Sequence, residues 1–382
     1  MRITFVQRTL IQAAGIAAAA LLWCVPAQAV DYSLTGFGTV QYTQGDNVEN
    51  YLRFANEDGT LKVNSIIGAQ LDVNISPELS ATFQYVIAPK QDNDQGVELD
   101  NRWSFIRWKP NDNWSFKVGR QRLNLYLDSE NLDVGQTYVP ANLSPEIYYN
   151  AAVLGIDGVS ATFNFEDNAG RYWGVQTIVG ERDIIQRLSK TTQDFPTSKY
   201  EILGLVFNLD GDRYRIQLAH HEAWLSRDIF QFNGRAVVDG SLNAKGQFTN
   251  LGAEYNWDRY SLRGELSQLE FSGTTKGVIP VFGPQQQRSD IPKFPEHGGN
   301  LTLVRKLNND HAVYTSVGRF ISDFDDQYSI AIGGKYALST SDSIKLELMQ
   351  VVEKNTRPQL SDNRINNTTF NMLSVSYNWV WQ

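Results

Sequence analysis

The residues of this chain best suited to chemistry are charged, and they gather around one irregular stretch. Asp128, Glu130 and Asp133 fall within segment 120–152, which opens on Arg120 and Arg122. Lys117 stands just before it, while Arg213, Arg215 and Arg263 come from regular segments further on, with Lys335 and Lys345 beyond them. Carboxylates facing cations across a water-filled passage would create a transverse field. Such a field orients dipolar solutes and sets ion preference. Taken singly, any of these arginines also fits a structural salt bridge or a solvated position.

Catalysis finds no comparable grouping. His220 and His221 are adjacent, so on an extended chain they point to opposite faces. His297 and His311 fall near the ends of different regular segments. No nucleophile motif of the G-x-S-x-G kind and no metal-ligand spacing is present. No catalytic residue, metal or cofactor is therefore expected, and the chain does not read as an enzyme. Asp323, Asp325 and Asp326 form a small acidic group that reads as a solvated turn before it reads as a calcium site.

The elements that must position the charges announce themselves by alternation. At the C-terminus Leu373, Val375, Tyr377, Trp379 and Trp381 point one way, and Ser374, Ser376 and Asn378 the other. Period-two alternation of this kind marks a strand with one apolar face and one wet face. About sixteen such segments recur, and their connections alternate between short and long. Short turns include Ser76-Pro77-Glu78, Asn111-Asp112, Asp210-Gly211-Asp212 and Asn308-Asn309-Asp310; the long connections are 45–60, 120–152, 181–198, 225–246, 272–296 and 354–367. A soluble sandwich has no reason to segregate its loops by length. A transmembrane antiparallel β-barrel does, with short periplasmic turns, long external loops and both termini on one side.

The faces assign themselves in most segments. Ile67, Ala69, Leu71, Val73 and Ile75 should meet lipid, while Gln70, Asp72 and Asn74 face the lumen. A charge at mid-bilayer on the lipid face costs roughly 2–4 kcal/mol, so Arg213 and Arg215 must point inward or lie at an end. Segment 99–110 is apolar on neither parity, which leaves its orientation open and points to a bulge. Trp108, Trp114, Trp257, Tyr260, Trp379 and Trp381 cluster near turns and read as a headgroup-level girdle. Leu34, Gly36, Gly38 and Val40 predict a flat outer surface of small residues on which copies could pack.

Residues 1–29 read as a cleaved signal peptide, with Arg2 and Arg8 ahead of an alanine-rich apolar run and an Ala27-Gln28-Ala29 cleavage site. Residues 30–382 then form a single barrel domain, and cleavage removes Cys24, the one cysteine. Of 34 basic residues, removing those two arginines leaves 32 against 42 acidic, about −10. That charge excludes the basic footprint of a nucleic-acid binder. Segment 120–152 carries Leu123, Leu125, Leu127 and Leu132, more apolar residues than an exposed connection needs, and is expected to fold inward onto the wall.

The leader, the strand grammar, the run Val118-Gly119-Arg120-Gln121-Arg122 at the third long loop and the aromatic last strand resemble Gram-negative outer-membrane porins. Gly119-Arg120-Gln121-Arg122 is similar to a gammaproteobacterial branch of them. The resemblance spans the mature chain. It implies a homotrimer of sixteen-stranded barrels in the outer membrane, each with its third loop folded into the lumen. It also implies contact with the lipid bilayer and lipopolysaccharide, and passive diffusion of small hydrophilic solutes and ions. Asp128, Glu130 and Asp133 would then be the acidic side of the constriction, and Lys117, Arg120, Arg122, Arg213, Arg215 and Arg263 the basic side. One departure is that Gln382 follows the terminal aromatic. Two other readings remain: a porin selective for anions such as phosphate or dicarboxylates, and a surface adhesin or receptor anchored by its barrel. Glu254, Glu265 and Glu347, mixed among the lumenal cations, speak against the first, and the modest loop lengths against the second.

Overall fold

The computed structural model describes residues 30–47, 51–52, 54–90, 96–149, 151, 153–185, 197–229, 240–276, 288–308, 310–323, 325–355 and 368–382. The expected signal peptide lies outside these residues, as do 186–196, 277–287 and 356–367 of the long loops. Sixteen strands follow in order: β1 Asp31–Gly45, β2 Ile66–Asn74, β3 Leu79–Pro89, β4 Val97–Trp108, β5 Trp114–Arg122, β6 Gly155–Glu166, β7 Tyr172–Ile185 and β8 Thr197–Asp210. The second half comprises β9 Tyr214–Ile229, β10 Gly240–Trp257, β11 Tyr260–Lys276, β12 Arg288–Lys306, β13 Ala312–Ser322, β14 Asp325–Ala337, β15 Asp342–Asn355 and β16 Thr368–Trp381. Each strand pairs antiparallel with its chain neighbours, and β1 pairs with β16. The sheet is therefore a closed barrel with no free edge, which is what hydrocarbon demands of a spanning β structure.

The faces follow the alternation. On β16 Leu373, Val375 and Tyr377 are 38–42% exposed, whereas Ser374, Ser376 and Asn378 are at most 2% exposed. Apolar residues outside and covered polar residues inside reverse the pattern of a soluble protein, and they identify the outer wall as the lipid face. Rings gather at the short-turn end: Trp114 packs on Phe163 at 4.9 Å, Trp108 on Phe116 at 5.4 Å and Trp257 on Tyr260 at 5.9 Å. The turn between the last two is only Asp258-Arg259, and Asp258 takes φ 46°, a left-handed position that Asp tolerates in a two-residue hairpin.

Three features differ from the sequence expectation. First, Gly36 and Gly38 do not present a flat small-residue surface. They sit opposite Trp381 and Trp379, whose rings occupy the space a Cβ would need (2.2 Å in each case). Glycine here admits a tryptophan across the closing seam, so the outer wall at β1 and β16 is aromatic. Second, the hairpins β9–β10 and β11–β12 run on through much of what reads as loop, with Ser241 opposite Lys276 and Thr274 opposite Asp290. Only short stretches alternate there, such as Leu242 and Ala244, which are buried on the inner face between Ser241, Asn243 and Lys245. Third, the described part of 46–65 turns inward. Leu52, Ala55 and Val63 are buried against Met349, Val351, Phe370 and Met372 on the inner faces of β15 and β16.

The ambiguous fourth strand does carry a bulge. Gln84 pairs with Trp103 and Tyr85 with Asn101, leaving Arg102 without a partner in the ladder. The extra residue turns Arg102 toward the lumen.

Candidate functional site

Segment 123–154 leaves β5 and crosses the lumen. It holds a 3-10 turn, Gly135–Thr137, and one helical turn, α1, Pro145–Tyr148. Its first part is anchored by the expected leucines. Leu123, Leu125 and Tyr126 are buried with Ile178, Ile202 and Phe248 on the inner wall of β7, β8 and β10. Leu127 seats directly on Gly252, where a Cβ would lie 2.4 Å from its Cγ. Inward folding follows from this: an apolar loop segment inside a polar lumen can only bury itself against the wall.

Two attachments then hold the loop at well-separated parts of the wall. At β9–β11, Arg215 donates to Asp128 at 2.9 Å and to Glu254 at 2.9 Å. Arg263 donates to the other Asp128 oxygen, to the Tyr148 hydroxyl and, at 2.6 Å, to Glu265. Burial pushes the Asp128 carboxyl up, but Arg263 and Arg215 outweigh it and hold the group below the usual carboxylate range. At β15, β16 and β1, six places away round a ring of sixteen, the fastening rests on hydrogen bonds. Asn142 donates to Glu347 at 2.6 Å and Ser374 at 3.0 Å, and accepts from Gln41 at 2.8 Å and from Asn64 of the first loop at 2.9 Å. Tyr314 donates to the same Glu347. Lys345, 1% exposed, donates to the carbonyls of Gly135 and Pro140 at 2.6 and 2.8 Å, and Lys335 to that of Gln136 at 2.7 Å.

The residues expected to form the constriction therefore divide. Asp128, Arg215 and Arg263 come together, as do Asp133 and Arg122; Asp133 also meets Arg102, 3.2 Å away. Burial raises the Asp133 carboxyl, and Arg122 and Arg102 pull it below its ordinary value. These carboxylates are not one bank of a field facing cations on the other bank. They are in contact with them, and the pairs fasten the loop. Glu130 alone of the three is exposed, and among the described residues it makes no ion pair. Lys117 lies with its ammonium over the Phe105 ring at 5.0 Å, within electrostatic reach of Glu130.

Two of the basic residues lie elsewhere. Arg120 shares the outward parity of Val118, which is 50% exposed, and pairs with Asp157 of β6 through Nε at 2.7 Å. It stands on the outer wall, because the register from β5 to β6 runs unbroken and alternation carries it there. Arg213 is exposed on the turn into β9, at the short-turn mouth. The sequence reading did not single out Arg102, Asn142, Tyr148 or Tyr314. Arg102 could have been suspected from the broken alternation of segment 99–110; the others carry no pattern. Among the described residues no group of three or more His, Cys, Asp or Glu could hold a metal.

Beside the loop a cavity of about 270 Å³ opens against the inner faces of β9 to β15. A closed, lipid-faced barrel with a polar lumen and an inward third loop defines the class: a sixteen-stranded transmembrane β-barrel. No family model and no curated protein sequence matches the chain. Solved structures do. OmpT, expressed in the outer membrane of Vibrio cholerae, is similar with TM-score 0.60 and 10% identity over 94% of this chain and 99% of that one. The outer-membrane channel DcaP of Acinetobacter baumannii gives 0.58 and 10% over 93% and 99%. An anion-selective porin from Comamonas acidovorans gives 0.57 and 13% over 92% and 100%. A trimer form of the Vibrio protein is also similar, at 0.54 and 11% over 93% and 100%. The neighbours include sixteen-stranded outer-membrane porins, and this chain has their fold.

Proposed function

We propose that this protein is a non-enzymatic, passive diffusion channel of the Gram-negative outer membrane, admitting small hydrophilic solutes and ions. The observation that carries the reading is the closed barrel whose wet interior is crossed by a loop held at two separate parts of the wall. Residues 1–29 serve as a removed export signal and 30–382 as the barrel. The trimer form of one structural neighbour supports a homotrimer in the lipid bilayer, with lipopolysaccharide around its outer wall.

The constriction is close to balanced in charge. Asp128, Glu254 and Glu265 stand against Arg215 and Arg263, while Asp133 and Asp100 stand against Arg102, Arg122 and Arg182. One surplus charge of each sign leaves weak ion preference, set mainly by Glu130 and Lys117, which have no close counter-ion among the described residues. Anion selectivity would need uncompensated arginines along the lumen, and the paired ones do not supply them.

Planar-bilayer recording of the purified protein tests this. Stepwise conductance in potassium chloride is expected, with a reversal potential near zero across a salt gradient. Glu130→Gln should shift that potential toward anions and Lys117→Met toward cations. Absence of conductance steps would overturn the channel, and a strong anion preference would move the reading to the selective porin.

A further inference from the structure

The cavity beside the third loop has a lining unlike the rest of the lumen. Apart from the exposed Lys306, its charged groups are already engaged. Arg215 is shared by Asp128 and Glu254, and Arg263 by Asp128 and Glu265. Glu347 accepts from Asn142 and Tyr314, and Glu146 from Ser144 at 2.8 Å and Gln327 at 3.0 Å. Away from Lys306, an anion entering here would have to displace a carboxylate from an arginine, and a cation would have to strip these acids of their donors. Both exchanges are costly in a partly dry site.

Uncharged groups, by contrast, have capacity to spare. Asn300 accepts from the Glu265 amide with its Oδ1, which leaves its NH2 without a partner among the described residues. Asn256 donates to Glu254 and keeps its carbonyl oxygen. Thr302 and Ser316 share a single hydrogen bond of 2.8 Å, so one of the two protons remains to be donated. Ser329, whose side chain lines the same cavity, has no partner among the described residues. Donors and acceptors thus alternate along β10, β12, β13 and β14. The rings of Tyr138, Tyr148 and Tyr314 supply apolar surface against them. The volume, about 270 Å³, equals roughly nine waters.

We propose that this cavity is a binding subsite for a small neutral polyhydroxylated solute, of monosaccharide size. Such a solute can use these spare donors and acceptors, meet the tyrosine rings with its C–H faces, and leave every ion pair intact. The proposal rests on the channel reading only for how the solute arrives.

Isothermal titration of the purified full-length protein in detergent with glucose tests it, with succinate as the charged probe. Saturable glucose binding is expected, with no displacement by succinate. The double variant Ser316→Ala/Ser329→Ala, which removes two lining hydroxyls and one side-chain hydrogen bond, to Thr302, should bind about tenfold more weakly. Ser316→Leu, which fills the space, should abolish binding, while unheated gel mobility confirms the folded barrel. Conductance of the double variant in potassium chloride should match the parent. Failure of glucose to bind saturably, displacement by succinate, or equal affinity in the parent and the double variant would each overturn the subsite. Loss of conductance in the parent would overturn the channel instead, and the titration would still decide the subsite.

Discussion

The third loop is fastened to the wall twice, and the two fastenings use opposite chemistry. At β9–β11 the joint is ionic: one aspartate carries two arginines, each shared with a glutamate of the wall. At β15–β16–β1 the joint turns on Asn142, whose amide meets four partners around a single carboxylate. The ionic joint depends on charge balance and geometry together. The amide joint depends on every hydrogen bond being made, since a buried polar group left unpaired costs more than a made bond returns. The loop that crosses the lumen is thus held by ion pairs at one joint and by hydrogen bonds at the other.

The largest effect should come from Asp128→Ala. It strands Arg263, mostly buried, and Arg215, about one-third exposed, without their shared partner. Breaking a buried pair costs about 3–5 kcal/mol, and the exposure of Arg215 puts this case near the lower bound. The loop should leave the wall, raising single-channel conductance and noise while the barrel keeps its unheated gel mobility. Unchanged conductance would mean the ionic joint does not hold the loop.

Asn142→Ala should act next, at about 1–3 kcal/mol, by leaving Glu347 short of donors. Faster amide hydrogen exchange confined to 139–149 is the expected readout, and it should be insensitive to added salt. Exchange that accelerates as far as 125–131 would show that the two joints form one cooperative unit.

A smaller and sharper test is pH. Asp128 and Asp133 both have folded-state pKa values held below the ordinary carboxylate range by their arginines. Their contribution is therefore fully present above the unfolded value of about 4 and is lost as pH falls through the lower folded value. Conductance should stay level from about pH 7 to 5 and change only below about 4. A transition between 5 and 7 would assign acid sensitivity to other groups.

The smallest effect belongs to Arg120→Ala. The Arg120–Asp157 pair lies on the outer wall and is partly solvated, which makes it worth about 0–1 kcal/mol. Reversal potential should not move. A shift as large as that of Glu130→Gln would place Arg120 in the lumen after all.

Arg120 also shows where reading from sequence succeeds and where it stops. Its neighbours Val118 and Gln121 were assignable to outer and inner faces by alternation, and the same rule, applied one residue further, puts Arg120 outside. Proximity to the loop suggested the lumen; parity decided against it. Arg122 shares that parity, yet the chain leaves the strand there and carries it to Asp133 inside. The first loop gave less warning. Leu52, Ala55 and Val63 are too sparse to mark a buried segment, and only their packing on Met349, Val351 and Phe370 explains them.

The sequence by itself determined the barrel, its sixteen strands, which face meets lipid, and the inward course of the third loop. These depend on local quantities: period two, turn residues, and the cost of leaving leucines in water. Tertiary structure alone decided which charges touch. Asp128 and Arg263 are 135 residues apart, and Asn142 and Ser374 are 232 apart. Register, barrel closure and, for Arg102, a bulge bring such groups within hydrogen-bond reach. No local pattern encodes a meeting across a lumen, because the energy of that contact exists only once both walls are in place.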